Sequence, residues 1–412
     1  MAVTTHRIRW GPVVLLEAAN VLSGVGNGIV VIAIPWLVLR ETGSAALYGL
    51  ISVIAVLPSL VALPFIGAMI DRYGPRWNSV ASDVASAASV LALPALGAVG
   101  GLSVPAIVVL AVLGAVIDPM GFTARKAAIA PAALASGVRA DSVNGVHAAL
   151  FGAGWAAGPP LGALLIATGG VTTTFLAAGA MFVVAAMAMA LLRVAGRAEP
   201  ATPADAREGH LAELAAGLRA LWGDRALRAL VIVNGILAAL YFPTEVVALP
   251  VHFEALGDPT GLGIVLAALA LGYVAGAFSY GWLVARFRAI TIFRLSLIAT
   301  AVAAVPLALL PPLPLMVAAG VVLGAAWGPI TPLVTSLIQE RMPIAVQGRV
   351  FAVEMTTFTA LPPVMILVTG LAVDTWGVDA AYLALGVAFA LTALIALAVP
   401  ALRGLDGRRE AP

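Results

Sequence analysis

Long apolar segments set the strongest constraint on how this chain can fold. Of its 412 residues, 62% are hydrophobic and 10% are charged, whereas soluble domains carry roughly 25% charged residues. A helix needs about 20 apolar residues to cross a bilayer, and its backbone is satisfied internally, so segments of this length predict spanning helices rather than barrel strands. About twelve spans are predicted: 11–39, 46–70, 77–99, 103–124, 143–167, 172–193, 228–253, 260–284, 290–310, 313–338, 346–373 and 379–402.

The placement of basic residues predicts the orientation of these spans. With the N-terminus placed inside, Arg40 is the only one of the 22 Lys and Arg residues that falls in an outside segment. Such an excess marks cytoplasmic loops, so both termini are expected to be cytoplasmic. The preference for Arg over Lys, together with the Ala and Gly content, suggests a bacterial source and hence the inner membrane. The chain has no cysteine, which excludes disulfides and thiol chemistry.

The chain is predicted to consist of two halves joined by a polar linker. The expected boundaries are 1–193, a cytoplasmic linker over 194–227, a second half over 228–402, and a tail over 403–412. The linker contains a short amphipathic helix with Leu211, Leu214, Leu218 and Leu221 on one face. TGGVTTTFLAAG at 168–179 aligns with TWGVDAAYLALG at 375–386. This repeat predicts two pseudo-symmetric six-helix bundles with the solute path between them.

A signature motif occupies the loop between the second and third spans, over Gly67-Ala-Met-Ile-Asp71-Arg72-Tyr73-Gly74-Pro75-Arg76. It resembles the signature loop of the major facilitator superfamily, and the resemblance implies the twelve-helix fold of that family. It also implies that Asp71 latches one conformation, with Gly67, Arg72, Gly74 and Arg76 building the loop. Asp83 and Arg125 are included in this latch because Asp83 is expected to pair with Arg72 or Arg125. The chain departs from the family at Pro75, where a basic residue is usual.

The fifth span carries a second family motif, formed by Gly154, Gly158, Pro159 and Gly162. It resembles the Gly-Pro signature of the antiporter branch, whose members export, although tight helix packing alone would produce a similar pattern. ETGSAALYGL, DSVNG and QGRVFAV also look like the branch that holds bacterial macrolide and siderophore exporters. The chain departs from that branch at two places. Asn27 stands where the branch often has an Asp, and the predicted fourth span has no arginine in its middle, where many antiporters have one.

Carboxylates inside apolar spans are the candidate functional groups, because each costs a few kcal/mol or more at depth. They are Glu17, Asp83, Asp118, Glu245 and Glu354. Proton coupling is predicted for Glu17, Asp118 and Glu245, although a structural pair of Asp118 with Arg125 is an equal alternative. Glu17 lies on a polar face of the first span, near Asn20 and Asn27. His147 is interpreted as a packing histidine.

The predicted substrate cavity combines amides, one carboxylate and aromatic rings: Asn20, Asn27, Trp155, Asn234, Tyr241, Tyr273, Trp327 and Glu354. No Arg or Lys is expected at mid-membrane depth, which argues against phosphates and organic acids as substrates. Carboxylates beside aromatic surface suit a hydrophobic or amphipathic solute, and a cation is one alternative.

These patterns predict a secondary transporter that exports amphipathic small molecules, coupled to protons, by alternating access. The alternatives are a proton-coupled nutrient symporter, a lipid translocase, and a non-transporting membrane protein of the same fold. No HExxH, Walker or nucleophile-elbow motif occurs, which argues against an enzyme. Neither a cofactor, a metal nor nucleic acid is expected. The expected partners are the solute, protons and membrane lipid, and the expected state is a monomer.

Overall fold

A computed structural model describes residues 9–193 and 210–406. Within these ranges the side chains at 57, 59–61, 63, 64, 67, 68, 71, 140–142, 210–215, 344 and 345 are not described. Almost all of the described chain is helical, and ten of its helices are long and apolar enough to cross a membrane. The prediction of an all-helical membrane protein is therefore confirmed.

Within 9–193 and within 210–406 the helices follow one another with short connections. The first five are α1 (Gly11–Thr42), α2 (Ala45–Tyr73), α3 (Pro75–Ala98), α4 (Val104–Ser136) and α5 (Ala140–Leu191). The linker helix α6 (His210–Trp222) precedes α7 (Arg225–Pro243), a π-helical turn (Thr244–Ala248) and α8 (Leu249–Ala255). The remaining ones are α9 (Pro259–Arg286), α10 (Ala289–Ala308), α11 (Leu313–Trp327), α12 (Ile330–Arg341), α13 (Ile344–Trp376), α14 (Val378–Ala398) and a 3₁₀ helix (Pro400–Asp406).

Glycine and proline interrupt several of these helices. Gly170 breaks α5 with φ 75° and ψ 175°, a conformation that only glycine adopts readily. It lies between the predicted spans 143–167 and 172–193. Pro243 precedes the π-helical turn, and Gly328 with Pro329 separates α11 from α12. Proline removes a backbone donor and crowds the preceding turn, which explains both interruptions.

Helix α4 corrects the predicted end of the fourth span. The prediction ended this span at residue 124 because the basic residues Arg125 and Lys126 were assigned to a cytoplasmic loop. Helix α4 instead continues to Ser136 and ends at the left-handed Gly137. The Ala-rich sequence after Lys126 favours helix, and Arg125 is buried and ion-paired. At 1.5 Å per residue, Arg125 therefore lies about 16 Å before the C-terminal end of α4.

The chain divides into two compact units. Unit 1 contains Met1–Leu37 and Ile51–Thr202, and unit 2 contains Val38–Leu50 and Pro203–Pro412. The end of α1 and the start of α2 thus belong to the second unit.

Unit 1 is built around close packing of α1, α3, α4 and α5. Helix α3 packs against both α4 and α5. An apolar cluster joins α1, α4 and α5 and contains Val13, Leu16, Ala19, Ala128, Ile129, Ala132, Ala133, Val143, Ala185, Ala188, Met189 and Leu192. Half of these side chains are alanines, and small residues let membrane helices gain van der Waals contact without a hydrophobic driving force.

Unit 2 uses glycines in the same way. Helix α9 packs on α11, α10 on α14, and α7 on α13. A Cβ added at Gly272 or Gly276 of α9 would lie 2.3 or 2.4 Å from a backbone oxygen of α11. Only glycine permits this approach of two backbones.

The start of α2 is capped by a carboxylate from α13. Asp374 accepts hydrogen bonds from the Ser44 hydroxyl at 2.6 Å and from the amides of Ala45 and Ala46 at 2.8 and 3.1 Å. Gly370, one turn earlier in α13, lies directly against Ala45. These bonds satisfy amides at the N-terminus of α2 that have no partner within the helix.

The start of α7 is held by an ion pair outside the spanning segment. Asp224 accepts from the amides of Ala226 and Leu227, and Arg341 donates to both of its carboxylate oxygens at 2.8 and 3.1 Å. Burial raises the pKa of Asp224, but these hydrogen bonds and the positive charge outweigh it and leave the pKa below its ordinary value. Arg341 also donates to the carbonyl of Gly404, which ties the 3₁₀ helix to α12.

The linker helix α6 packs on α13, with Gly217 against the backbone of Arg349. Leu221 is buried, but Leu218 is 43% exposed. The predicted apolar face is therefore not buried as a whole, and the side chains of Leu211 and Leu214 lie outside the described ones.

Candidate functional site

A buried polar cluster surrounds Glu17 in unit 1. Oε1 of Glu17 lies 3.1 Å from Nδ1 of His147 on α5, and Oε2 accepts from the Asn20 amide at 3.3 Å. The Asn20 amide also donates to the backbone carbonyl of His147 at 2.9 Å. Glu17 is 6% exposed and His147 is 2% exposed. The predicted polar face of α1 thus includes a carboxylate–imidazole pair.

His147 is a residue whose role sequence reasoning missed. It was interpreted as a packing histidine, yet its ring contacts the carboxylate of Glu17. Within the described part of the chain, His147 Nε2 and Asn20 Oδ1 are buried and have no hydrogen-bond partner. Unpaired polar atoms of this kind are rare in protein interiors and indicate a water, an ion or a functional role.

A second buried cluster is centred on Arg125. Its Nη1 donates to Asp83 at 3.0 and 3.1 Å and to Ser79 at 3.2 Å, while Nη2 donates to Ser23 of α1 at 2.9 Å. Arg125 and Asp83 are almost fully buried. Arg125 was expected to lie beyond the end of the fourth span, and this is wrong, because α4 extends past residue 124 and Asp83 neutralises the buried Arg125.

Asp118 does not form the ion pair with Arg125 that was one of its two predicted roles. Its Oδ1 accepts a 2.6 Å hydrogen bond from the Ser86 hydroxyl, and Arg125 pairs with Asp83 instead. The alternative of a structural Asp118–Arg125 pair is therefore wrong. The reason is that α3 places Asp83 closer to the guanidinium than α4 places Asp118.

Gly74, Arg72 and Arg76 are the motif-loop residues whose backbone or side-chain contacts the structure describes. Gly74 has φ 80°, as a tight helix-to-helix turn requires. Arg76 donates to the carbonyl of Ala190 on α5, while Arg72 is exposed beside the ring of Tyr73. The side chains of Gly67 and Asp71 lie outside the described ones.

The Gly-Pro motif of α5 packs directly on α1. A Cβ at Gly158 would lie 2.4 Å from the Cα of Gly28, and Gly162 faces Ile29 in the same way. Gly154 lies against the carbonyl of Val21. A Cβ added at Gly28 would lie 3.1 Å from the Cδ of Pro159. The motif therefore sets the spacing between the two helices that carry Glu17 and His147.

Two further predicted cavity residues lie near this contact. Asn27 is half-buried on α1, one residue before Gly28. Trp155 is 38% exposed on α5 and stacks on Phe151 with ring centroids 6.3 Å apart.

An acid within an aromatic cluster is the main feature of unit 2. The Tyr241 hydroxyl donates to Glu245 at 2.6 Å, across the start of the π-helical turn that widens α7. The Tyr241 ring lies 4.9 Å from Trp327 and 6.4 Å from Phe389. Glu245 is thus a carboxylate with one strong hydrogen bond and aromatic surface on the same side.

The remaining predicted cavity residues of unit 2 lie on α7, α9 and α13. Asn234 is buried on α7, and its Oδ1 has no partner among the described residues. The Tyr273 hydroxyl donates to Thr331 at 3.3 Å. Glu354 is half-buried on α13. The described residues contain no group of three or more His, Asp or Glu side chains arranged to bind a metal.

Long apolar helices that bury carboxylates, an arginine and a histidine define a multi-pass membrane transporter. The chain belongs to the Major Facilitator Superfamily, whose family profile matches residues 16–246 and 245–411.

Named relatives cover nearly the whole chain. It is 37% identical over 401 residues to the multidrug efflux pump Tap of Mycolicibacterium fortuitum, covering 96% of this chain and 97% of that protein. It is 34% identical over 400 residues to the multidrug efflux pump Tap of Mycobacterium tuberculosis H37Rv, with 96% and 95% covered. It is 22% identical over 397 residues to macrolide efflux protein A of Streptococcus pyogenes, with 94% and 96% covered.

Solved structures share the fold at low sequence identity. The nucleoside transporter NupG matches with a TM-score of 0.74 and 11% identity, covering 94% of this chain and 98% of that one. A D-xylose-proton symporter matches with a TM-score of 0.71 and 14% identity, covering 93% and 97%. The predicted family is therefore confirmed.

Proposed function

We propose that this protein is a proton-coupled exporter of amphipathic small molecules that works by alternating access in a bacterial inner membrane. The observation that carries the coupling is the buried pair of Glu17 with His147, since an ionisable group at this depth marks a proton or ion pathway by default. Export is supported by the names of the relatives, two of which are multidrug efflux pumps.

The proposed architecture is twelve spans in two six-helix bundles, with both termini cytoplasmic. The ten candidate spans count α5 once, although Gly170 divides it, and the described apolar part of α2 counts only as a shorter helix. Adding these two gives twelve. The distribution of Arg and Lys supports the orientation, and the proposed working unit is a monomer surrounded by lipid.

Glu17 is the proposed proton carrier. It would bind a proton while the site faces one side of the membrane and release it when the site faces the other. Glu245 and Asp118 are the second candidates, and each has one short hydrogen bond from a hydroxyl, Tyr241 and Ser86 respectively. A carboxylate hydrogen-bonded by a single neutral hydroxyl retains acceptor sites for a proton or a cation.

The aromatic cluster around Glu245 is the proposed substrate contact in unit 2. Tyr241 and Trp327 supply flat apolar surface, and Glu245 supplies a negative charge beside it. This combination suits a hydrophobic cation, because aromatic faces and a carboxylate both attract positive charge. Asn20, Asn27, Trp155, Asn234, Tyr273 and Glu354 remain proposed cavity residues, and the motif loop with Asp71 remains a proposed latch.

The test is transport of ethidium, an amphipathic cation, by purified protein in proteoliposomes under an imposed pH gradient. Wild type should move ethidium against its concentration gradient, and nigericin, which collapses the pH gradient, should stop this. Glu17→Gln should still exchange ethidium downhill but lose the uphill component. Glu254→Gln, a half-buried acid near the end of α8, is the matched control and should behave as wild type.

Two outcomes would overturn the proposal. Uphill transport that survives nigericin would exclude proton coupling. Uphill transport by Glu17→Gln at the wild-type level would remove Glu17 as the carrier and leave Glu245 and Asp118.

A further inference from the structure

We propose that His147 completes the proton site, so that Glu17 and His147 hold one proton between them and the imidazole passes it to and from water. The inference rests on the proposed proton coupling and deepens it. Its geometric basis is the 3.1 Å contact between Glu17 Oε1 and His147 Nδ1 in a region where both side chains are almost fully excluded from solvent.

The net charge of the Glu17–His147 pair itself favours the state with one shared proton. With that proton the pair is neutral overall, whether it is written as carboxylate and imidazolium or as carboxylic acid and imidazole. Without it, the pair leaves one uncompensated negative charge in the protein interior, which is unfavourable. Deprotonation therefore requires the site to open to water, and this is what links the proton to a conformational change.

The other charged groups near the pair compensate each other. Arg125 on α4 and Asp83 on α3 form their own ion pair, and Arg125 reaches α1 only through the hydroxyl of Ser23. On α1 and α5 the described ionisable side chains at this level are Glu17 and His147 themselves. Neither charge of the Arg125–Asp83 pair is thus available to replace the proton.

The unpaired atoms of the cluster supply a route for the proton. His147 Nε2 and Asn20 Oδ1 are buried and lack partners among the described side chains. A hydronium ion that enters beside Nε2 can protonate it while Nδ1 gives its own proton to Glu17. A hydronium is consumed, water is released, Glu17 becomes the neutral acid, and the imidazole changes tautomer. The reverse sequence returns the proton to water on the other side.

The experiment compares His147→Asn and His147→Gln with wild type in proteoliposomes. The Asn side chain places an amide near the position of Nδ1, so it preserves the hydrogen bond to Glu17 but cannot carry a proton. Both variants should bind ethidium and exchange it downhill, and both should lose uphill transport to the level of Glu17→Gln. The double variant Glu17→Gln/His147→Asn should be no worse than either single variant, because the two residues act as one site. His252→Gln is the matched control, since His252 lies half-buried in α8 against Phe253.

The outcomes separate this inference from the proposed function. If Glu17→Gln is uncoupled while His147→Asn keeps wild-type uphill transport and pH profile, the inference fails and the proposed function stands. If wild type is insensitive to nigericin, the proposed function fails first.

A second measurement tests the inference without His147 variants, in case these do not fold. Histidine-selective ¹⁵N NMR follows the imidazoles of wild type and Glu17→Gln as ethidium is added. A change of protonation or tautomer at one imidazole in wild type, lost in Glu17→Gln, supports the shared proton. No such change in wild type overturns it.

Discussion

Removing the negative charge of Asp83 should destabilise unit 1 strongly. In Asp83→Asn, Arg125 keeps its hydrogen bonds to Ser79 and Ser23 but loses its only described ion-pair partner. Arg125 is 2% exposed, so water cannot take over that role. Breaking one partner of a buried ion pair costs about 3–5 kcal/mol. For a folding unit of this size, each kcal/mol lowers the thermal midpoint by roughly 2–4 °C, so the expected decrease is about 6–20 °C.

The double variant Asp83→Leu/Arg125→Met provides the decisive comparison. It removes both charges and fills their volume with apolar side chains, which is often neutral or stabilising for a buried ion pair. The double variant should therefore unfold closer to wild type than Asp83→Asn does. Thermal unfolding of purified protein in detergent, followed by tryptophan fluorescence, measures all three midpoints.

Asp379→Asn is the control for this series, because Asp379 is an exposed acid in the first turn of α14. Its midpoint should match that of wild type. An Asp83→Asn midpoint equal to wild type, or a double variant less stable than the single one, would refute the assignment of Asp83 as the counter-charge.

Three other predictions concern packing, topology and acidity. Gly158→Ala should lower the thermal midpoint by overpacking α5 against Gly28, at a cost of about 1–3 kcal/mol, whereas Gly152→Ala, with nothing near its Cβ position, should not. In intact cells, Thr202→Cys should resist an impermeant thiol reagent and Gly257→Cys should react; the reverse pattern would invert the proposed orientation. Because the folded pKa of Asp224 is lowered, its contribution to stability is complete above the unfolded value of about 3.9 and is lost as the pH falls through the folded value. Arg341→Ala should therefore lower stability at neutral pH and reduce the further loss of stability as the solution becomes acidic. Unfolding midpoints measured from neutral to acidic pH test this.

The spans were predictable because their signal is local. A run of apolar residues that ends at Gly170 carries its own boundary in the sequence, since glycine acts on the backbone at its own position. The predicted end of the fourth span was wrong for the converse reason. Whether Arg125 ends a helix or lies inside one depends on Asp83, which sits 42 residues earlier in the chain.

The candidate site was predictable only in part, for the same physical reason. An acid in an apolar helix identifies Glu17 by itself, because burying a carboxylate is costly anywhere. The partner of Glu17 is 130 residues away, and a single histidine in α5 does not reveal which helix it faces. Likewise, the aromatic rings around Glu245 come from separate helices, so their proximity depends on tertiary packing.

The cap on α2 has a consequence for how the chain is made. The amide of Ala45 is satisfied by Asp374, 329 residues further along. At a synthesis rate of about 5–20 residues per second, the ribosome reaches Asp374 roughly 16 to 66 s after Ala45. During that interval the first turn of α2 exists without its acceptor, and it must rely on headgroups, water or the insertion machinery. The N-terminal turn of an early helix is therefore among the last parts of the protein to reach its native state during biogenesis, and a chain truncated before Asp374 would present this turn uncapped to the cell's quality control.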